Sequence, residues 1–144
     1  MGWVRVTSPT AIGGSAVFQT IVDGRIVSEA GVSSSPLAPH FTTYVDSVGS
    51  AESGLAVCNP NDTSVTVTFN LRNTPGQIVA STTRTLSAFG HMAQFFTQLF
   101  PAGFDEFEGT LELVTNGGSV SGVALRYDNP GGTVFATSPV MMIP

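Results

Sequence analysis

The side chains able to do chemistry are few and scattered: two histidines, His40 and His91, one cysteine, Cys58, and ten carboxylates in 144 residues. A nucleophilic triad needs Ser or Cys, His and an acid brought together in space. No Gly-x-Ser-x-Gly elbow accompanies either histidine, so each is read as a capping or surface residue. Two histidines and a distant cysteine give no zinc spacing. Glu106, Glu108 and Glu112 supply carboxylate pairs of the sort glycoside hydrolysis uses, but an acidic strand edge supplies them equally well. Asp105, Glu106 and Glu108 read as a solvated acidic turn, with a calcium site as the alternative. Gly13-Gly14, Gly117-Gly118 and Gly131-Gly132 lack the lysine of a phosphate-binding loop. Cys58, at the end of Gly54-Leu55-Ala56-Val57-Cys58, reads as a buried small hydrophobe. Asn61-Asp62-Thr63 fits the glycosylation sequon, a pattern short enough to occur often by chance. The expectation is a protein without catalytic residues, cofactor or metal.

The elements that position these residues are strands. Residues 64 to 72 alternate Val65, Val67, Phe69 and Leu71 with Thr66, Thr68, Asn70 and Arg72, a half-buried strand. Asn73-Thr74-Pro75-Gly76 turns it into a second strand over 77 to 86. Asp23-Gly24 predicts a type I′ hairpin between residues 15–22 and 25–27. Further hairpins are expected through Asn116-Gly117-Gly118 and Asn129-Pro130-Gly131-Gly132. Strands near Trp3 to Thr7, Phe41 to Val45, Gly54 to Cys58 and Thr137 to Ile143 bring the total to about nine or ten. Met92, Phe95, Phe96, Leu99 and Phe100 fall at helical spacing before Pro101, which predicts one short connector helix at about residues 91–100.

Composition agrees with this reading. The chain is 42% hydrophobic and 10% charged, with 16 Gly and 9 Pro, a turn-rich all-β profile, and its length fits one domain with a real core. The five basic residues are all arginines, Arg5, Arg25, Arg72, Arg84 and Arg126, placed singly, so no basic patch exists for nucleic acid. No apolar run reaches the roughly 18 residues of a membrane-spanning helix. The first twenty residues do not read as an export signal. Met1-Gly2 is not followed by the Ser or Thr that myristoylation needs at the sixth position, where Val6 stands.

An internal echo organises the chain. Gly2-Trp3-Val4-Arg5-Val6-Thr7-Ser8 matches Gly109-Thr110-Leu111-Glu112-Leu113-Val114-Thr115. Ile12-Gly13-Gly14-Ser15-Ala16-Val17 matches Val120-Ser121-Gly122-Val123-Ala124-Leu125 at nearly the same offset, and Ser35-Pro36 answers Ser138-Pro139. The expected organisation is a single β-sandwich domain over 1–144. Within it, 1–40 is the closing half of a preceding repeat and 41–144 a complete one.

In order, Ser53-Gly54-Leu55-Ala56-Val57-Cys58-Asn59-Pro60-Asn61, the Val/Thr strand pair, Gly90-His91-Met92-Ala93-Gln94-Phe95, Leu99-Phe100-Pro101, Phe107-Glu108-Gly109-Thr110-Leu111 and Val123-Ala124-Leu125-Arg126 resemble a repeat module of large secreted proteins from environmental, acidobacteria-like bacteria. The resemblance covers nearly the whole chain. It implies an antiparallel immunoglobulin-like β-sandwich, extracellular or at the cell surface, often in tandem, with no activity and no catalytic motif to carry over.

Lysine is absent, which rules out a Lys-Asn isopeptide bond and removes a common guard against edge-to-edge pairing. The expected role is therefore a structural module, spacer, adhesin element or filament subunit. Its partners would be other copies or neighbouring repeats, met through edges carrying Trp3, Val4, Val6, Val140, Met141 and Ile143. The alternative is a carbohydrate-binding sandwich, with Trp3, Tyr44 and Tyr127 as the glycan platform.

Overall fold

The computed structural model describes residues 2–128 and 133–143. The sandwich is built by β3 (His40–Asp46), β4 (Ala51–Cys58), β5 (Val65–Asn73), β6 (Ile78–Leu86), β7 (His91–Phe95), α1 (Phe96–Leu99), β8 (Glu108–Asn116), β9 (Ser121–Asp128), β10 (Phe135–Ser138) and β11 (Val140–Met142). One sheet has the order β11-β3-β8-β5-β6 and the other β10-β9-β4-β7, with antiparallel neighbours throughout. The expected antiparallel all-β sandwich is what forms. A third, two-stranded sheet, β1 (Ser15–Val22) with β2 (Arg25–Ser33), stands outside both layers.

Period-2 alternation decides which side chains enter the core. Val65, Val67, Phe69 and Leu71 of β5 face Leu55 and Val57 of β4 across the interior, joined by Phe41, Val45, Leu111, Leu113 and Val120. Burying a side chain of this size stabilises the fold by about 1.5–3 kcal/mol each. One end of the sandwich is closed by aromatic rings. Phe96 and Phe100, on and after the helical turn, pack with Phe104 and Phe107 at centroid distances of 5.5–6.0 Å.

Three expectations are corrected here. The segment read as a helix over 91–100 is mostly strand: His91–Phe95 pairs with β4 from Cys58↔His91 to Gly54↔Phe95, and only Phe96–Leu99 coils. The open edge of β4 outweighs the helical spacing. Alternation sends Met92 against the core and Phe95 onto the outer face beside Tyr127. Asn116-Gly117-Gly118 makes no hairpin, because both edges of β8 are already occupied by β3 and β5, so the chain crosses to the other sheet for β9. The strand expected over 137–143 breaks at Pro139, which has no N–H to donate, and its two parts join different sheets. The turn expected at Asn129-Pro130-Gly131-Gly132 lies outside the described residues, although β9 and β10 on either side of it do pair.

Gly109 shows how tightly the central sheet is built. A Cβ there would collide with the carbonyl oxygen of Arg72 on β5, so the close approach of β8 to β5 requires glycine.

Candidate association surface

The β1–β2 hairpin follows from its sequence. Asp23 and Gly24 take φ of 49° and 74°, the two positive values a type I′ turn needs. Pairing runs from Val22↔Arg25 to Ser15↔Ser33, with an irregularity between Thr20 and Ile21 that leaves Val27 as the extra residue on β2. Val17, Phe18, Ile21, Val22, Ile26 and Val27 are all exposed. A two-stranded ribbon standing alone is marginal in water, and this one keeps its apolar side chains outside the core.

Two serine hydroxyls tie the hairpin region to the sandwich. Ser28 Oγ accepts the Phe135 N–H at 3.1 Å and donates to the Phe135 carbonyl at 3.4 Å, on the edge of β10. Ser35 Oγ donates to the Gly122 carbonyl at 2.6 Å and accepts its N–H at 3.2 Å, on the part of β9 that β10 no longer covers. Each hydroxyl takes both backbone groups of an edge residue that a neighbouring strand would otherwise use. Between these ties lies a groove of about 280 Å³, lined by Val32, Ser35, Pro36, Val123, Thr137 and Val140.

Residues 2–14 form no strand, which corrects the strand expected at Trp3 to Thr7. Trp3 Nε1 donates to the Phe89 carbonyl at 3.1 Å, while Val4, Val6 and Ile12 are exposed. Of the other edge residues expected to associate, Val140 packs on the core, Met141 projects into solvent, and the Ile143 N–H donates to the His40 carbonyl at 3.1 Å. The β1–β2 hairpin carries more exposed apolar side chains than either of these two groups. The turn at Asp23-Gly24 was the signal in the sequence, but nothing local said that the hairpin would lack a covering sheet.

The three rings of the glycan platform are likewise separated. Tyr44 stands on the outer face of β3, half an exposed ring, its phenol pushed up by desolvation and then by the Asp46 and Glu108 carboxylates. Tyr127 is wedged on the outer face of the four-stranded sheet between Phe95 and Phe135, at 5.4 and 5.6 Å. Trp3 lies at the turn between β6 and β7.

No protein-family model, no curated protein and no solved structure matches this chain.

Two polar clusters join strands far apart in sequence. On the outer face of the five-stranded sheet Glu112 accepts from His40 Nε2 at 2.9 Å, Asn70 Nδ2 at 3.0 Å and Arg72 Nη2 at 2.8 Å. Burial works to raise the Glu112 pKa, but these donors more than offset it and hold the carboxyl below its usual range. Between the sheets, Arg126 on β9 grips the buried Asp46 on β3 through Nε at 2.9 Å and Nη2 at 2.8 Å, while Ser53 Oγ on β4 donates to Asp46 Oδ1 at 3.0 Å. Every acceptor in both clusters is spent on a neighbouring strand, so their chemistry is cohesion between strands.

Cys58 is half-buried on the outer face, opposite His91 on β7, and burial pushes its thiol up, away from the reactive thiolate. In the acidic loop Glu106 Oε1 accepts the Gly49 N–H at 3.1 Å, and among the described residues no group of three or more His, Cys, Asp or Glu is arranged to hold a metal ion. At the sequon, the Asn61 amide donates to Asn59 Oδ1 at 2.7 Å and to the Ser119 carbonyl at 2.9 Å, bonds that a glycan on that nitrogen would disrupt. No helix among the described residues is long and apolar enough to cross a membrane.

Proposed function

We propose that this chain is a non-enzymatic structural module that associates with others of its kind through β-strand contacts. The observation that carries the reading is the β1–β2 hairpin, which lies outside both sheets with apolar side chains exposed and, among the described residues, a free edge on β1. Such a strand is a template for strand addition. The lack of lysine and the charged fraction of only 10% leave few charges to repel a partner. The likeness to repeat modules of secreted bacterial proteins supports an extracellular or cell-surface setting. Where the β1 edge meets a different edge of the next copy the contact is head-to-tail and builds open filaments unless the rotation closes a ring, whereas two β1 edges that meet close as a two-fold dimer.

Light-scattering mass across a concentration series, with electron microscopy of the same samples, tests the reading. Mass that rises with concentration, or regular filaments, is the expected result. A 14.9 kDa species at every concentration would remove self-association.

A glycan-binding reading draws on Tyr44, whose exposed ring lies across from Thr110 and, one strand further, Arg72 on the outer sheet face. Loss of a glycan-array signal in Tyr44→Ala would favour it, and an array without signal for the wild-type chain would end it.

A further inference from the structure

We infer that residues 2–36 are the closing half of a second sandwich, and that they bind a partner presenting the opening half, a β3-to-β7 segment of the kind held here at residues 38–108. The inference rests on the association reading above and names the partner.

Corresponding positions of the internal echo have opposite fates. Leu111, Leu113 and Val120 are 0%, 1% and 0% exposed, whereas their counterparts Val4, Val6 and Ile12 are 87%, 71% and 56% exposed. Both stretches carry the same alternation, so local sequence does not explain the difference. Neighbours do. β8 lies between β3 and β5, and residues 2–8 have no strand on either side among the described residues.

The same comparison extends to the hairpin. β9 is hydrogen-bonded along both edges, to β10 and to β4, with Ala124 opposite Leu55 and 3% exposed. Its counterpart β1 pairs among the described residues with β2, and Ala16, which corresponds to Ala124, is exposed. The open edge of β1 is thus the edge that β4 takes on β9. A strand patterned like Ser53-Gly54-Leu55-Ala56-Val57 fits it, with strands like β3 and β5 to flank residues 2–8. Ala16, Phe18 and Thr20, which share one face of β1, then become interior residues. A folded second copy of this chain can meet β1 only with an open edge of its own and cannot complete this sandwich, because its β4 is already paired with β7 and β9, and its β3 and β5 already flank β8. The partner is accordingly an unclosed half.

Since Gly2 corresponds to Gly109, the test is a chain in which a copy of residues 38–108 is joined directly ahead of Gly2 of the full protein. Hydrogen exchange of the Val4, Val6 and Ala16 to Ile21 amides should slow by at least about 100-fold relative to the unextended chain. The same extension carrying Phe69→Asp within the added copy should lose that slowing while residues 38–143 keep their protection. Unchanged exchange at residues 2–33 in the extended chain, with 38–143 still protected, would overturn the inference. Concentration-dependent mass of the unextended chain judges self-association separately: a chain that stays monomeric while its extended form protects residues 2–33 upholds the partner named here and rejects pairing between complete copies.

Discussion

Residues 2–36 and 109–139 carry a similar alternation of apolar and polar residues and keep different company. The later stretch runs through the centre of the five-stranded sheet, along β9 between β4 and β10, and into β10, and its Leu111, Leu113, Val120 and Ala124 are buried in the core. The earlier stretch has the same alternation and a turn at Asp23-Gly24 in type I′ geometry, yet it forms only a ribbon tied to the sandwich through the side chains of Trp3, Ser28, Ser35 and Ser121. A strand pattern is a request for neighbours, and burial depends on whether they are present. Local propensity cannot supply them.

The sharpest way to break this comparison is to truncate equivalent side chains. Leu113→Ala should cost about 2–5 kcal/mol in urea unfolding, the usual range for a core leucine, whereas Val6→Ala should change stability by less than about 0.5 kcal/mol. Similar costs at both positions would mean that the amino-terminal stretch is packed after all.

Next in size is the ion pair between the sheets. Arg126→Met leaves the buried Asp46 without its guanidinium and should cost about 2–3 kcal/mol, below the full penalty for a buried pair because the Arg126 side chain keeps a third of its surface in water. The corresponding residue of the earlier stretch, Phe18, has no such partner among the described residues, and Phe18→Ala should leave the melting temperature unchanged within about 1 °C.

Glycine sharpens the contrast further. Gly109→Ala drives a methyl group into the Arg72 carbonyl and should lose about 1–3 kcal/mol by overpacking, while Gly2→Ala, with open space around it, should be silent. Calorimetry of the two variants side by side decides the matter.

The smallest effect expected is one of pH. The Glu112 carboxyl is held below its usual range in the fold, so its contribution is fully present above the unfolded glutamate value of about 4.3 and is lost as the pH falls through the lower folded value. Glu112→Gln should therefore narrow the gap in chemical stability between pH 7 and pH 3 by about 1 kcal/mol. An identical pH profile in the variant would show that other carboxylates account for the acid sensitivity.

Much of the sandwich was legible in the sequence because its clearest strands carry strict alternation. Val65 to Leu71 needed nothing beyond period two, and Asp23-Gly24 named its own turn. What stayed hidden depended on who stands beside whom. His91 to Phe95 looks helical in isolation and becomes a strand because β4 has an edge to fill. His40, Asn70, Arg72 and Glu112 sit on three different strands, and their meeting is a matter of register between β3, β8 and β5. Cys58 reads as a core residue from its apolar neighbours, but alternation turns it to the outer face. The exposed hairpin was invisible for the same reason: its residues describe a good strand pair and say nothing about what covers it.

The pairing of β11 with β3 has a mechanical consequence. Met142 lies opposite Phe41, and the Ile143 N–H reaches the His40 carbonyl, so the chain enters and leaves the sandwich at one spot, on adjacent antiparallel strands. Tension applied through residues 39 and 143 would pull the two strands apart from the same end, breaking their hydrogen bonds one after another as a zipper rather than loading them together in shear. A strand pair loaded from one end in this way yields at a lower force than the same pair loaded in shear.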